Sequence, residues 1–271
     1  MLRFAFLLAA SFLSMAKPDP SEAQPMEVDL ELVLLVDVSR SMSPIELSIQ
    51  REGYAAALRS DEVYAAVWAG LLQRIALTYV EWAGTQRVVV DWTLIESRED
   101  LDRFAGAVER SMSAGMRRTS ISEALVFGAE SLLSNEYEGL RRVIDVSGDG
   151  PNNEGRPVAG ARDAVLAQRI VINGLPLMTQ DDPGGFGGSW YLEDLDAYYR
   201  ACVTGGPGSF VIPVYDWRDF GEAVRRKLVL EIAGLAVPEA VQKIQFREAE
   251  AYDCLIGEKI WEQRRRYWSE P

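Results

Sequence analysis

The 271-residue chain has no histidine. That absence excludes Ser-His-Asp and Cys-His catalysis and any histidine-ligated zinc site. With only two cysteines, Cys202 and Cys254, it cannot build a cysteine-rich metal site either. Positive charge is scarce: 28 Lys and Arg stand against 41 Asp and Glu, a formal net charge of −13. This balance argues against nucleic acid and anionic membrane surfaces as partners. It suits solubility and is compatible with cation binding. Past the first residues, no run is apolar enough to cross a bilayer.

The start, "MLRFAFLLAASFLSMAKPDPSEAQ", sets Arg3 before a short apolar run, Phe4 to Leu13, followed by small residues. This is the pattern of a secretory signal peptide, read as residues 1–23 and too short for a spanning helix. An uncleaved anchor is the alternative. Export predicts a periplasmic or secreted protein with no membrane insertion after signal cleavage. In an oxidising compartment Cys202 and Cys254 are plausible partners in one disulfide, two separate buried thiols being the other reading.

Strands and helices alternate along the rest. "DLELVLLVDV" (29–38) is too uniformly apolar for a half-buried strand and reads as a central one, covered on both faces. Ser43-Pro44 then supplies an N-cap and an N1 proline. Strands 74–83 and 87–95 are separated by Gly84-Thr85-Gln86, which forces an antiparallel hairpin. Helices are expected at 97–112, 120–134, 161–169, 191–203 and 217–232, and further strands at 141–149, 170–178 and 209–215. Trp68, Trp82 and Trp92 are assigned to the core. The expected fold is a three-layer α/β sandwich: a mostly parallel central sheet, one antiparallel edge strand, helices on both faces. It occupies 27–235, and residues 236–271 form a less regular extension ending in "RRRYWSEP", read as a solvated chain end rather than a basic docking patch.

Function in open sheets of this class gathers beyond the carboxyl ends of the strands. Three segments should meet there. "DVSRS" ends the first buried strand with oxygen at alternate positions: Asp37, Ser39 and Ser41. "RRTSISEAL" sets Thr119 just before a helix. "VIDVSGDG" ends another buried strand on Asp149. Mg²⁺ prefers about six hard oxygens and surrenders water reluctantly. Two hydroxyls in one tight loop and two carboxylates ending neighbouring strands match that preference. Taken singly, each has a plainer reading: Ser39, Ser41 and Thr119 as helix caps, Asp149 as a turn residue.

Taken together, the three segments resemble von Willebrand factor A-type domains with a metal-ion-dependent adhesion site. "RVVVDWTLI", "VIDVSGDGPNNEG", "INGL" and "GGPGSF" further resemble an exported bacterial group with this domain and no assigned function. The resemblance implies that Ser39 and Ser41 ligate a cation directly. Thr119, Asp37 and Asp149 would do so directly or through water. The cation would be Mg²⁺, with Mn²⁺ or Ca²⁺ possible, and a protein partner's Asp or Glu would complete its shell.

The sequence departs from the pattern in Arg40, between the serines, and in Arg117-Arg118, where a glycine pair is common. Asp145 shares the alternation of Asp149 and is a candidate supporting acid. The loop 179–194, with Phe186, Trp190 and Asp181-Asp182, is a candidate recognition loop. An aspartyl-phosphate enzyme would want an acid where Ser39 stands, and "TGGPGSF" lacks the Gly-Lys-Ser/Thr of a phosphate loop. The expected role is binding, not catalysis. A metal-dependent hydrolase with Glu154 or Asp145 as base, and a protein with a purely stabilising metal, are the alternatives.

Overall fold

The computed structural model describes residues 24–112, 115–179, 192–235 and 252–269. The expected signal peptide and most of the 179–194 loop lie outside them. Elements in chain order are β1 (Met26–Val28), β2 (Leu30–Asp37), α1 (Pro44–Leu58), α2 (Asp61–Trp68), β3 (Ile75–Trp82), β4 (Gln86–Ile95), α3 (Arg98–Arg110), α4 (Ile121–Leu133), β5 (Tyr137–Gly139), β6 (Arg142–Gly148), α5 (Val158–Leu166), β7 (Val171–Pro176), α6 (Leu195–Tyr198), α7 (Phe220–Ala233) and α8 (Ile256–Ser269).

A five-stranded sheet in the order β4-β3-β2-β6-β7 lies between two helical layers. Its pairs are parallel except β3 with β4. Every residue of β2 and β3 is buried, which explains why β2 reads as one apolar run. Along β2 the side chains still alternate. Leu30, Leu32, Leu34 and Val36 join the core beneath α1, α3 and α7, with Tyr54, Phe104 and Phe220. Val33 and Leu35 face the other layer, with Leu125, Val146, Tyr198 and Tyr199. Truncating one of these leucines to alanine removes about 2–5 kcal/mol.

Local chemistry sets the element ends. The Ser43 hydroxyl accepts the Glu46 N–H, while the Glu46 carboxylate accepts the Ser43 N–H at 2.6 Å, a capping box in front of Pro44. The cap of α1 is therefore Ser43, and Ser39 and Ser41 are released from that role. Gly234 closes α7 in the left-handed conformation, φ 64°.

Four expectations change. Segment 209–215 runs beside β7 with interrupted pairing: bridges join Gly174 to Val211 and Leu177 to Val214. Pro176 and Pro213 lack N–H donors, so a continuous ladder cannot form. The helix expected at 191–203 is one α-turn followed by a wider turn over Tyr199–Val203, which brings Tyr199 and Cys202 inside. Trp68 is 48% exposed at the end of α2, stacked on Tyr64, whereas Trp82 is fully buried. Within the extension expected to be less regular, Ile256–Ser269 forms a helix. Cys202 and Cys254 are bonded, and α8 follows directly.

Candidate metal centre

β2 and β6 are neighbours, so Asp37 and the loop after Gly148 emerge side by side at the carboxyl edge of the sheet. Asp37 is fully buried, and its Oδ1 accepts the Ser39 N–H at 2.6 Å. That contact tightens the loop and turns Ser39 toward Ser41, with hydroxyls 2.8 Å apart. The Ser41 hydroxyl then donates to Asp149 Oδ1 at 2.8 Å. Asp37, Ser39, Ser41 and Asp149 thus form a linked set of oxygens.

The third segment is stitched to both others. Met116 N–H donates to the Val38 carbonyl at 2.8 Å, beside a bridge between Ser39 and Met116. Thr119 exchanges two bonds with Asn153: its N–H donates to Asn153 Oδ1 at 3.1 Å, and its carbonyl accepts the Asn153 N–H at 2.8 Å. Ser39, Ser41, Thr119 and Asp149 all line one cleft of about 810 Å³. Arg118, just before Thr119, holds φ at 77°, a left-handed backbone that disfavours a side chain and costs about 1–3 kcal/mol. That backbone is held here by an arginine, whose guanidinium lies 3.7 Å from the ring centroid of Trp261.

The donor set fits a hard dication. Burial pushes the Asp37 carboxyl well above the usual carboxylate range, and the charge of Asp149 pushes it further. Asp37 Oδ2 is buried with no hydrogen-bond partner among the described residues. A cation would supply the missing partner and let both acids ionise. Among the described residues, no group of three or more His, Cys, Asp or Glu assembles. A site here therefore depends on the two hydroxyls, Thr119 and water, a set suited to Mg²⁺, Mn²⁺ or Ca²⁺ rather than to softer ions.

Asp145 is not part of this set. It faces the opposite way, buried against Lys227 Nζ at 2.6 Å, and Lys227 also holds Glu231 at 2.5 Å. Asn173 Nδ2 donates to the same Glu231 carboxylate at 2.9 Å. Glu154 is exposed and lies 4.0 Å from Arg118.

Sequence reasoning missed the residues behind and beside the oxygens. A Cβ at Gly148 would fall 2.9 Å from both Asp37 Oδ2 and the Tyr199 hydroxyl, so only glycine lets that buried tyrosine approach the back of the site. Asn152 accepts the Ser122 N–H at 3.0 Å, and its own N–H donates to the Tyr198 hydroxyl at 3.1 Å. The "PNN" after Asp149 was the available signal, since adjacent side-chain amides in a loop are ready connectors.

A sheet of this order between helical layers is a von Willebrand factor A-like fold. Within that class, the chain belongs to the family described as protein of unknown function (DUF1194), which it matches over residues 27–236. No curated protein matches it. Among solved structures it is similar to proximal thread matrix protein 1 from the mussel byssus, with a TM-score of 0.54 at 13% identity, covering 78% of this chain and 49% of that one. That structure is described as having a zinc-occupied MIDAS motif. The pilus adhesin SpaC from Lactobacillus rhamnosus GG gives 0.54 at 12% identity, with 79% and 31% covered. The chain thus spans about half the length of the byssus protein and about a third of the adhesin. At these identities the likeness shows the fold.

Proposed function

We infer that this chain is an exported, divalent-cation-dependent protein-binding domain. Asp37, Ser39, Ser41, Thr119 and Asp149 hold one Mg²⁺, directly or through water, and a partner's Asp or Glu completes the shell. The single observation that carries this reading is the hydrogen-bonded chain from Asp37 through Ser39 and Ser41 to Asp149, in the cleft that Thr119 also lines. A dication beside two protein carboxylates is near neutral, so a third carboxylate can join without net repulsion. The zinc-occupied motif of the byssus protein supports use of a divalent cation. The Cys202–Cys254 bond supports an oxidising compartment, and no helix among the described residues is long and apolar enough to cross a membrane.

Hydrolysis is the weaker reading, because each base suggested for it is badly placed. Asp145 is ion-paired in the core, and Glu154 sits beside Arg118 on the surface. The test is capture of partners from an envelope extract with Mg²⁺, with EDTA, and with the Asp149→Ala and Ser41→Ala proteins. Capture should require both the cation and the intact site. An identical captured set under all four conditions overturns the reading, as does turnover of phosphate esters.

A further inference from the structure

The cleft has a second wall, and that wall lies outside the residues matched by the family. Helix α8 begins at Ile256, twenty residues past the end of that match. It is fixed at three points. Cys254, just ahead of it, is bonded to buried Cys202. Gly257 lies against the backbone of the Asp149 loop so closely that a Cβ would fall 2.0 Å from the Asn152 carbonyl oxygen. One residue on, Glu258 accepts a hydrogen bond from Asn152 Nδ2 at 2.7 Å.

Helical spacing then aims Gly257, Ile260 and Trp261 along one face. All three line the same cleft as Ser39, Ser41, Thr119 and Asp149. The rim carries Arg40 and Arg117, both exposed, together with half-buried Arg118. Three guanidinium groups around one opening are a local reversal of sign on a chain of net charge −13. Guanidinium recognises carboxylate through paired N–H donors, and a bound cation would take a carboxylate at one position only. At about 810 Å³ the cleft is far larger than one carboxylate needs, and lies in the upper part of the range for enclosed ligands.

We propose that α8 is a built-in clamp, and that the cleft between it and the cation-site loops takes an acidic peptide segment with two carboxylates and an apolar side chain. One carboxylate meets the cation. The second meets Arg40 and Arg117. The apolar side chain packs on Ile260 and Trp261. Arg118 stays stacked on Trp261 and holds the wall in place. This rests on the cation reading above and adds a selection that the cation alone does not provide: a segment with a single acid binds, but weakly.

The test uses the full, disulfide-bonded chain and fluorescence anisotropy of labelled heptapeptides in Mg²⁺. The peptides carry one leucine and an acid pair at every spacing; matched peptides have either acid replaced by its amide, and free glutarate is the competitor. At least one diacid peptide should bind about tenfold more tightly than both of its amide partners, the worth of one charge-assisted contact. Trp261→Ala, and separately the Arg40→Ala/Arg117→Ala pair at exposed positions, should erase that advantage. Mg²⁺ uptake measured by calorimetry without peptide should persist in both. Equal binding of diacid and amide peptides overturns the clamp, as does an advantage that survives both variants or glutarate that displaces the labelled diacid peptide as well as an equal concentration of the unlabelled peptide does. Failure of the cation reading is seen separately, as absence of Mg²⁺ uptake by the unaltered protein.

Discussion

The Ser41 hydroxyl donates to Asp149 Oδ1 across 2.8 Å, joining two loops that lie 108 residues apart in sequence. Ser41 is only half-buried and caps no helix, so its removal leaves the core intact. Ser41→Ala should weaken Mg²⁺ or Mn²⁺ binding about tenfold or more, the loss of one oxygen ligand or its partner, with unfolding in EDTA shifted by less than about 1 kcal/mol. Titration calorimetry and chemical denaturation separate the two effects. Undiminished cation affinity would remove Ser41 from the site.

The buried pair Asp37 and Asp149 predicts a stabilising cation. Burial and mutual repulsion hold the Asp37 carboxyl above its ordinary range, and a dication reverses that penalty. At a concentration 100 times the dissociation constant, Mg²⁺ should raise unfolding free energy by about 2.7 kcal/mol. EDTA should return it to the cation-free value, and Asp149→Ala should not respond to either. Scanning calorimetry on both proteins measures this directly.

The attachment of α8 is testable apart from any ligand. Cys254 is half-buried and its partner Cys202 fully buried, so Cys254→Ser is the milder cut. The bond closes a separation of 52 residues, and on the chain-entropy account its loss removes about 4 kcal/mol. Gly257→Ala should act more locally. Its Cβ would collide with the Asn152 carbonyl, so the helix must lift while the sheet stays folded. Limited proteolysis should then cleave within 252–269 well before the rest, and an uncut α8 in the alanine protein would contradict this packing.

Glu231 predicts a pH response. Its carboxyl is buried beside Asp145, and despite Lys227 it is pushed up to about 7 from an ordinary 4.5. Between those values the folded protein keeps a proton that the unfolded chain releases. This contribution to stability is therefore full below pH 4.5 and is lost as pH rises through about 7. The loss follows a slope of up to about 1.4 kcal/mol per pH unit. Glu231→Gln cannot ionise, so the difference in unfolding free energy between the two proteins should change across that window. A difference flat in pH would mean that Lys227 fully compensates both acids.

Much of this architecture is written locally. The uninterrupted apolar run before Asp37 announces a strand covered on both faces, because no half-exposed strand tolerates it. The short link at 84–86 leaves β3 and β4 no geometry but a hairpin. Ser43-Pro44 starts α1 by hydrogen bonding within one turn. Even the convergence of Asp37 and Asp149 follows from the pattern, since parallel strands present their carboxyl ends on one edge.

What the tertiary structure alone decided are the contacts whose partner lies far along the chain. Alternation puts Asp145 in step with Asp149, yet Asp145 turns to Lys227, because a buried carboxylate requires a counter-charge and α7 supplies the one within reach. Trp68 is a large aromatic of the kind cores use and lies exposed, since helical spacing sets it beside Tyr64 while Val63 and Val67 take the buried face of α2. The "RRRYW" end reads as solvated because three arginines adjoin there, and nothing in 252–269 says what its apolar residues pack against. The Cys202–Cys254 bond was legible as a plausible pair, but only the close approach of Gly257 to Asn152 brings Ile260 and Trp261 over the cleft. Local sequence encodes hydrogen bonds and periodicity within a few turns; burial and charge pairing depend on what packs opposite, and that is settled only when the whole chain closes.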